Sequence, residues 1–359
     1  MTRIFNFCAG PATLPLPVLE KARDELLDYR GLGMSVMEIS HRSSAFDELA
    51  DSSEACLRRL LSISDDYTVL FLAGGATMQF AQVPLNMASP DRPGAYLVNG
   101  SWSKKAFNIA RRMGLGQLAA SSEDTGFKSI PSPGEWNLEG KPAYLHYASN
   151  ETISGVQFRR PPDSDLPLVS DMSSDILSRP VDIGKFGVIY AGAQKNIGQA
   201  GLALVIVRKD LLQDLPADQP DLQSWKIQHQ QGSRLNTPPT YAWYIAGLVF
   251  DWVEASGGVE EMAKLNQVKA DTFYQYLDQS SFYLNDIPPE CRSHMNIPFQ
   301  IVDESLHERF IAEAEAVGLS SLKGHRSVGG MRASIYNAMP LEGVEALIGF
   351  MKEFESKAG

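Results

Sequence analysis

The sequence predicts an α/β protein, with a large domain built on a mostly parallel sheet flanked by helices and a smaller α+β domain near the carboxyl end. Three observations carry this expectation. Between Tyr67 and Lys209, short apolar runs alternate with helical patterns, as expected of strands buried on both faces and connected by helices. After Pro238 and Pro239 the pattern lengthens into two helices, over 240–258 and 259–279. Beyond Phe282 strand and helix patterns alternate again, over a length that suits a second domain.

Taken in order, YTVLFLAG (67–74) reads as a strand, followed by a helix opening near Ala76. GAYLVNG (94–100) is the next strand, and SWSKKAFNIARRM the helix after it. Further strands are expected at 142–149, 166–173, 186–192 and 201–209, each a β-rich apolar run. In the last part HMNIPFQIVD is a strand, LHERFIAEAEAVG a helix ending at Gly318, MRASIYN a strand and LEGVEALIGFMKEFE the final helix. The expected division is a large domain over 16–255 and a small one made of 1–15 with 256–359.

Composition narrows the function classes. The 32 basic and 43 acidic residues leave a formal net charge of −11, which argues against nucleic acid or an anionic membrane surface as the main partner. Any anion site must then be a local cluster of cations. No stretch approaches about eighteen uninterrupted apolar residues, so no span is expected, and the start lacks a secretory or transit pattern. A cytoplasmic location is expected. Cys8, Cys56 and Cys291 are odd in number and without CxxC spacing, which indicates neither a disulfide framework nor a metal site.

The chemistry begins at FGVIYAGAQKNIG (186–198), where an apolar run and small residues precede Lys195. A lysine at the end of a buried strand, with small neighbours that admit a flat ring, suits Schiff-base formation with an aldehyde cofactor. Asp171 ends another apolar strand, where a carboxylate is desolvated unless it meets a cation. A protonated pyridine nitrogen is such a cation, and a helix or turn cap is the alternative. Gly74 and Gly75 precede Ala76 and Thr77 at a helix start, a phosphate cradle without a lysine of its own. Trp102 follows a strand and could stack on a ring, while Asn150 and Thr152 at another strand end offer hydrogen bonds to a ring hydroxyl. Asn236 and Thr237 stand in a loop stiffened by two prolines, which suits donation to a phosphate.

Cations form the remaining set. His41 and Arg42, His325 and Arg326, and Arg332 all lie beside small or glycine-rich sequence. Together they could bind a dianion and a carboxylate by forked hydrogen bonds, provided that they converge in space.

Read together, NFCAGPATLP, GLGMSVMEISHR, GGATMQF, HYASNETISG, GVIYAGAQKNIGQAGL, NTPPTYAWY and KGHRSVGGMRASIYNAMPLEGV closely resemble the phosphoserine aminotransferase family, class V enzymes of pyridoxal-phosphate fold type I, over nearly the whole chain. The resemblance implies pyridoxal 5'-phosphate as cofactor, with Lys195 as the Schiff-base lysine and Asp171 facing the pyridine nitrogen. It implies Trp102 stacked on the ring, Thr152 near its hydroxyl, and Ala76, Thr77 and Gln194 on the phosphate. Asn236 and Thr237 would reach that phosphate from the other subunit of a homodimer. His41, Arg42, His325 and Arg326 would receive the substrate phosphate or the glutamate side chain, and Arg332 the α-carboxylate. The implied reaction moves an amino group from L-glutamate to 3-phosphohydroxypyruvate, giving O-phosphoserine and 2-oxoglutarate in serine biosynthesis. The 4-phosphohydroxythreonine of pyridoxine biosynthesis is a second candidate substrate. Some relatives carry a serine where this chain has Ala9, and Cys8 beside it is a poor substitute as a donor. A class V lyase with a reactive thiol, and a protein whose lysine and glycines are purely structural, are the competing readings.

Overall fold

In the computed structural model, which describes residues 3–358, the elements run in chain order as follows. Strand β1 (Phe5–Asn6) precedes helices α1 (Leu16–Asp24) and α2 (Ser44–Leu61). Next come β2 (Tyr67–Ala73), α3 (Ala76–Met87), β3 (Gly94–Val98), α4 (Ser101–Arg112) and β4 (Gly116–Ser121). Strands β5 (Leu145–Ala148), β6 (Asn150–Glu151), β7 (Val156–Gln157), β8 (Leu168–Asp171), β9 (Phe186–Gly192) and β10 (Leu202–Arg208) follow. Helices α5 (Trp225–Gln230), α6 (Thr240–Ala255) and α7 (Gly258–Gln279) lead to the last part. That part holds β11 (Tyr283–Leu284), β12 (Asn296–Ile301), α8 (His307–Ala316), β13 (Leu319–Ser320), β14 (Met331–Ser334) and α9 (Leu341–Ala358).

The central sheet has the strand order β2-β10-β9-β8-β5-β3-β4 among the described residues. Pairings from β9 through β8, β5 and β3 to β4 are parallel, and β10 alone runs antiparallel, between β2 and β9. Every residue of β9 is buried, as both-face burial requires. Strand β4 has no counterpart in the sequence reading. Its segment, GQLAAS, offers a single bulky apolar side chain and lies at the sheet edge with half its positions only partly covered, so it gives a weak apolar run.

Two apolar layers cover this sheet. On one side α2 and α6 pack against it, with Phe71 stacked on Trp243 at 4.3 Å and the Trp243 indole N–H donating to Ser53 at 2.8 Å. On the other, α3 and α4 cover Leu70, Tyr96 and Tyr190. A separate core joins Phe7 to residues 270–354 around β12, β14, α8 and α9. Helix α7 bridges the two units, with Val259 and Met262 in the first core and Phe273 and Leu277 in the separate one.

Candidate active site

Parallel strands present the ends of β3, β5, β8 and β9 along one edge of the sheet, where α/β proteins place ligands. At the end of β9 the chain turns through Gly192 to Gln194 and Lys195. A Cβ on Gly192 would lie 2.7 Å from Gln194 Oε1 and 3.3 Å from the Ala76 amide nitrogen. The glycine therefore lets Gln194 close against the first turn of α3. That turn, capped at Gly75, has no acidic residue to occupy its free N–H groups.

Lys195 Nζ donates to Thr152 Oγ1 at 2.7 Å and lies 5.7 Å from the centroid of the Trp102 ring. Burial holds its ammonium below the ordinary lysine range; Asp171 and Glu151 oppose that shift and Arg332 adds to it. Asp171, at the end of the adjacent β8, is 7% exposed. Its Oδ1 accepts from the Ser173 amide at 2.9 Å and the Ser173 hydroxyl at 2.6 Å. Burial pushes this carboxyl up, while Ser173 and Lys195 pull it back. Trp102 lies in the first turn of α4, and its indole N–H is buried without a partner. Lys195 thus meets Thr152 and Trp102 with Asp171 on the adjacent strand, Gln194 closes against Ala76 at the same sheet edge, and Thr77 beside Ala76 is exposed. Asn150 does not join them: it is turned inward, donating to Ser174 at 2.9 Å and Asn296 at 2.8 Å.

Arg332, on β14, reaches across from the second core. Its Nη1 donates to the Thr152 carbonyl at 3.3 Å, and its buried Nε has no partner. The neighbouring segment is fixed from beneath by Lys269, whose Nζ donates to the carbonyls of Ile335, Tyr336 and Met339 at 3.0, 2.8 and 2.9 Å. Tyr336 in turn donates to the Ala9 carbonyl at 2.7 Å. The amino-terminal segment is held over the lysine turn, with the Ala12 amide bonded to the Gln194 carbonyl at 2.9 Å. At Gly10 a Cβ would stand only 3.4 Å from Lys195 Cγ.

The remaining cations lie on two separate segments. His325 and Arg326 are exposed on the loop before β14, with His325 bonded to Ser327. His41 and Arg42 lie elsewhere, tied to the proline-stiffened loop through Arg234, whose Nη1 donates to the His41 carbonyl at 3.4 Å. Asn236 and Thr237 are exposed there, and Asn236 bonds only to its neighbour among the described residues. No hydrogen bond or ion pair among the described residues joins the two His-Arg pairs.

Sequence reasoning missed Glu151. It is fully buried, and its carboxylate accepts from the amides of Trp102 at 3.0 Å and Ser103 at 2.7 Å and from the Ser103 hydroxyl at 2.7 Å. A strand-end glutamate inside the Asn150–Thr152 run was the available signal. Ser173 was missed as well, because a serine two residues beyond Asp171 looks like ordinary turn sequence. Two of the three cysteines are poor candidates for thiol chemistry: burial pushes Cys56 up to about 12 and raises Cys291, so neither of these offers a ready thiolate.

A lysine and a carboxylate on neighbouring strand ends, with an indole beside the lysine and an open helix start, define the class, and the chain matches the aminotransferase class-V family over residues 4–347. It is 54% identical over 358 residues to phosphoserine aminotransferase of Pseudomonas putida, covering 99% of each chain. The solved phosphoserine aminotransferase of Bacillus circulans subsp. alkalophilus superposes with a TM-score of 0.97 at 44% identity over 99% of each chain. The pyridoxal-phosphate-bound phosphoserine aminotransferase of Trichomonas vaginalis does so with a TM-score of 0.92 at 40% identity, covering 98% of this chain and all of that one. The chain belongs to the phosphoserine aminotransferase family within class V.

Proposed function

We propose that this chain is a phosphoserine transaminase, moving an amino group between L-glutamate and 3-phosphohydroxypyruvate to give O-phospho-L-serine and 2-oxoglutarate. The observation that carries the reading is the placement of Lys195 and Asp171 on the ends of adjacent parallel strands, beside Trp102 and within reach of Arg332. The residues fit pyridoxal 5'-phosphate. The buried indole N–H of Trp102 lacks a protein partner, and the first turn of α3 carries free amides beside Gln194. Bound there, the cofactor supplies an aldehyde carbon for the substrate nitrogen and an electron sink for the charge left when the α-proton departs.

The chain's own groups do the rest. Lys195, its proton affinity lowered by burial, is the base placed to take and return the α-proton. Asp171 would pair with the ring nitrogen, its Oδ1 fixed by Ser173 so that the carboxylate cannot rotate away. Thr152 orients Lys195 Nζ and would bond near the ring hydroxyl. Ala76, Thr77 and Gln194 would hold the phosphate. Arg332, with an unpaired buried Nε, would take the α-carboxylate.

His41, Arg42, His325 and Arg326 would receive the substrate phosphate or the glutamate side chain, and we infer a homodimer in which partner chains bring these pairs together. Exposure of Asn236 and Thr237, together with the uncovered Leu27, Met37 and Met78 (84%, 54% and 43% exposed), supports that arrangement. In it Asn236 and Thr237 of the partner subunit complete the phosphate site. Three unpaired cysteines suit a reducing, cytoplasmic setting. Acceptance of 4-phosphohydroxythreonine, and with it a part in pyridoxine biosynthesis, follows if the phosphate is what the cations read.

The test is coupled transamination with O-phosphoserine, 4-phosphohydroxythreonine and serine as amino donors to 2-oxoglutarate. Both phosphorylated donors should turn over far faster than serine. Equal rates for phosphoserine and serine would remove the phosphate-specific reading.

A further inference from the structure

We propose that Lys105 is the cation of the cofactor phosphate site, contributed not by the glycine turn but by the neighbouring helix α4. This rests on the reading that the site takes pyridoxal 5'-phosphate. A phosphate monoester brings a charge of roughly −1.5 to −2 at neutral pH. The start of α3 offers backbone donors and a helix-end charge of only about +0.5. Gly74, Gly75, Ala76 and Thr77 add no positive side chain, and two buried carboxylates, Asp171 and Glu151, lie on the same sheet edge. Backbone amides alone leave most of the dianion unbalanced.

Lys105 supplies what is missing. Its Nζ lies 3.4 Å from Thr77 Oγ1, at the first turn of α3, and 5.4 Å from the Trp102 ring centroid. Lys195 Nζ lies 5.7 Å from that same ring centroid, bonded to Thr152 rather than Thr77. The indole on which the cofactor ring would stack therefore has one lysine toward the strand-end threonine and another toward the helix start. A ring whose aldehyde and phosphate arms project from neighbouring carbons would turn the first toward Lys195 and the second toward Lys105.

The adjacent Lys104 makes the contrast. Its ammonium is paired with Glu123 and sits 5.9 Å from the Phe127 ring, so it is already committed. Lys105 is exposed and enters no ion pair among the described residues, which leaves its charge available. Thr77 and Lys105 belong to helices packed on each other, so the fold rather than one loop sets their backbones side by side.

The experiment titrates the cofactor-free protein with pyridoxal 5'-phosphate and, separately, with pyridoxal, which has the ring and aldehyde without the phosphate. Binding is read by absorbance and by protein fluorescence, for the unaltered chain, Lys105→Met and Lys105→Arg. Lys105→Met should raise the Kd for pyridoxal phosphate about fivefold to tenfold while leaving that for pyridoxal unchanged, and Lys105→Arg should restore most of the loss. The difference should shrink in high salt, because the ammonium is exposed. Equal weakening of both ligands, or no change in either, overturns the proposal. So does an unchanged Kd accompanied by a raised KM for O-phosphoserine, which would assign Lys105 to the substrate. If the unaltered chain binds pyridoxal phosphate no better than pyridoxal, the phosphate site itself is wrong, an outcome distinct from failure of the Lys105 assignment alone.

Discussion

Glu151 closes the amino end of the helix that carries Trp102, its Oε2 accepting from the Trp102 amide at 3.0 Å. The same carboxylate binds the Ser103 amide and hydroxyl through Oε1, so the first turn of α4 is capped by a side chain 48 residues away in sequence. Burial pushes the carboxyl above the usual glutamate range, and these donors pull it down. A Cβ on Gly100 would stand 2.2 Å from Glu151 Cδ, so the glycine makes room for the cap.

Glu151→Ala should accordingly cost about 2 to 4 kcal/mol, since it orphans two amides and empties a buried volume. Glu151→Gln should cost less, because it keeps the shape and one acceptor. Both should weaken cofactor binding by loosening Trp102. Thermal melts of the cofactor-free protein and absorbance titrations with pyridoxal phosphate check this; an unchanged melting temperature in the alanine variant would refute the capping role.

Lys195 and Asp171 are coupled electrostatically, which fixes the sign of a pH prediction. Burial lowers the lysine below the 10.5 of an ordinary side chain, and Asp171 is the foremost cause acting the other way. Capture of an aldehyde needs the neutral amine, so its rate in the cofactor-free protein should rise with pH around a midpoint below 10.5. Asp171→Asn removes a negative neighbour, so that midpoint should move lower still. Stopped-flow absorbance with pyridoxal across pH measures both; an unmoved or higher midpoint in the variant would contradict the coupling.

Much of this site was legible before folding. Lys195 and Asp171 could be read because each ends an apolar run, where an ionisable side chain needs a reason to be buried. Glu151 offered only its place at a strand end, since its partners, two amides and a hydroxyl of Trp102 and Ser103, are brought to it only when β6 meets the start of α4. The inward turn of Asn150 was hidden for a similar reason: Asn296, its partner at 2.8 Å, belongs to a strand of the second core. Strand β4 escaped because an edge strand needs few bulky apolar residues. The His-Arg pairs were recognisable as a set, but they stand on separate segments, and the homodimer proposed above is what would bring them together.

Arg332 offers a test of how the substrate is read. Both amino donors share an α-carboxylate and differ in the far end, so Arg332→Lys, which loses the fork, should raise KM for glutamate and phosphoserine by a similar factor, about tenfold or more. Arg42→Ala should instead fall unevenly on the two donors, because a dianion and a carboxylate do not lose equal energy. Steady-state kinetics with each donor separate the two patterns. A loss confined to one donor in Arg332→Lys would overturn its assignment to the shared group.

The proposed homodimer makes a prediction that only shared sites can satisfy. Lys195→Ala should be inactive and unable to hold the cofactor covalently, and Asn236→Ala combined with Thr237→Ala should bind its phosphate weakly. Unfolded together and refolded at equal concentrations, the two chains form mixed dimers. One site of each mixed dimer then carries every lesion, and the other pairs an intact Lys195 with an intact Asn236 and Thr237 from the partner chain. Random pairing makes about half the dimers mixed, so roughly a quarter of all sites should regain full activity. Activity no greater than the mean of the two variants measured alone would show that each chain builds its phosphate site by itself.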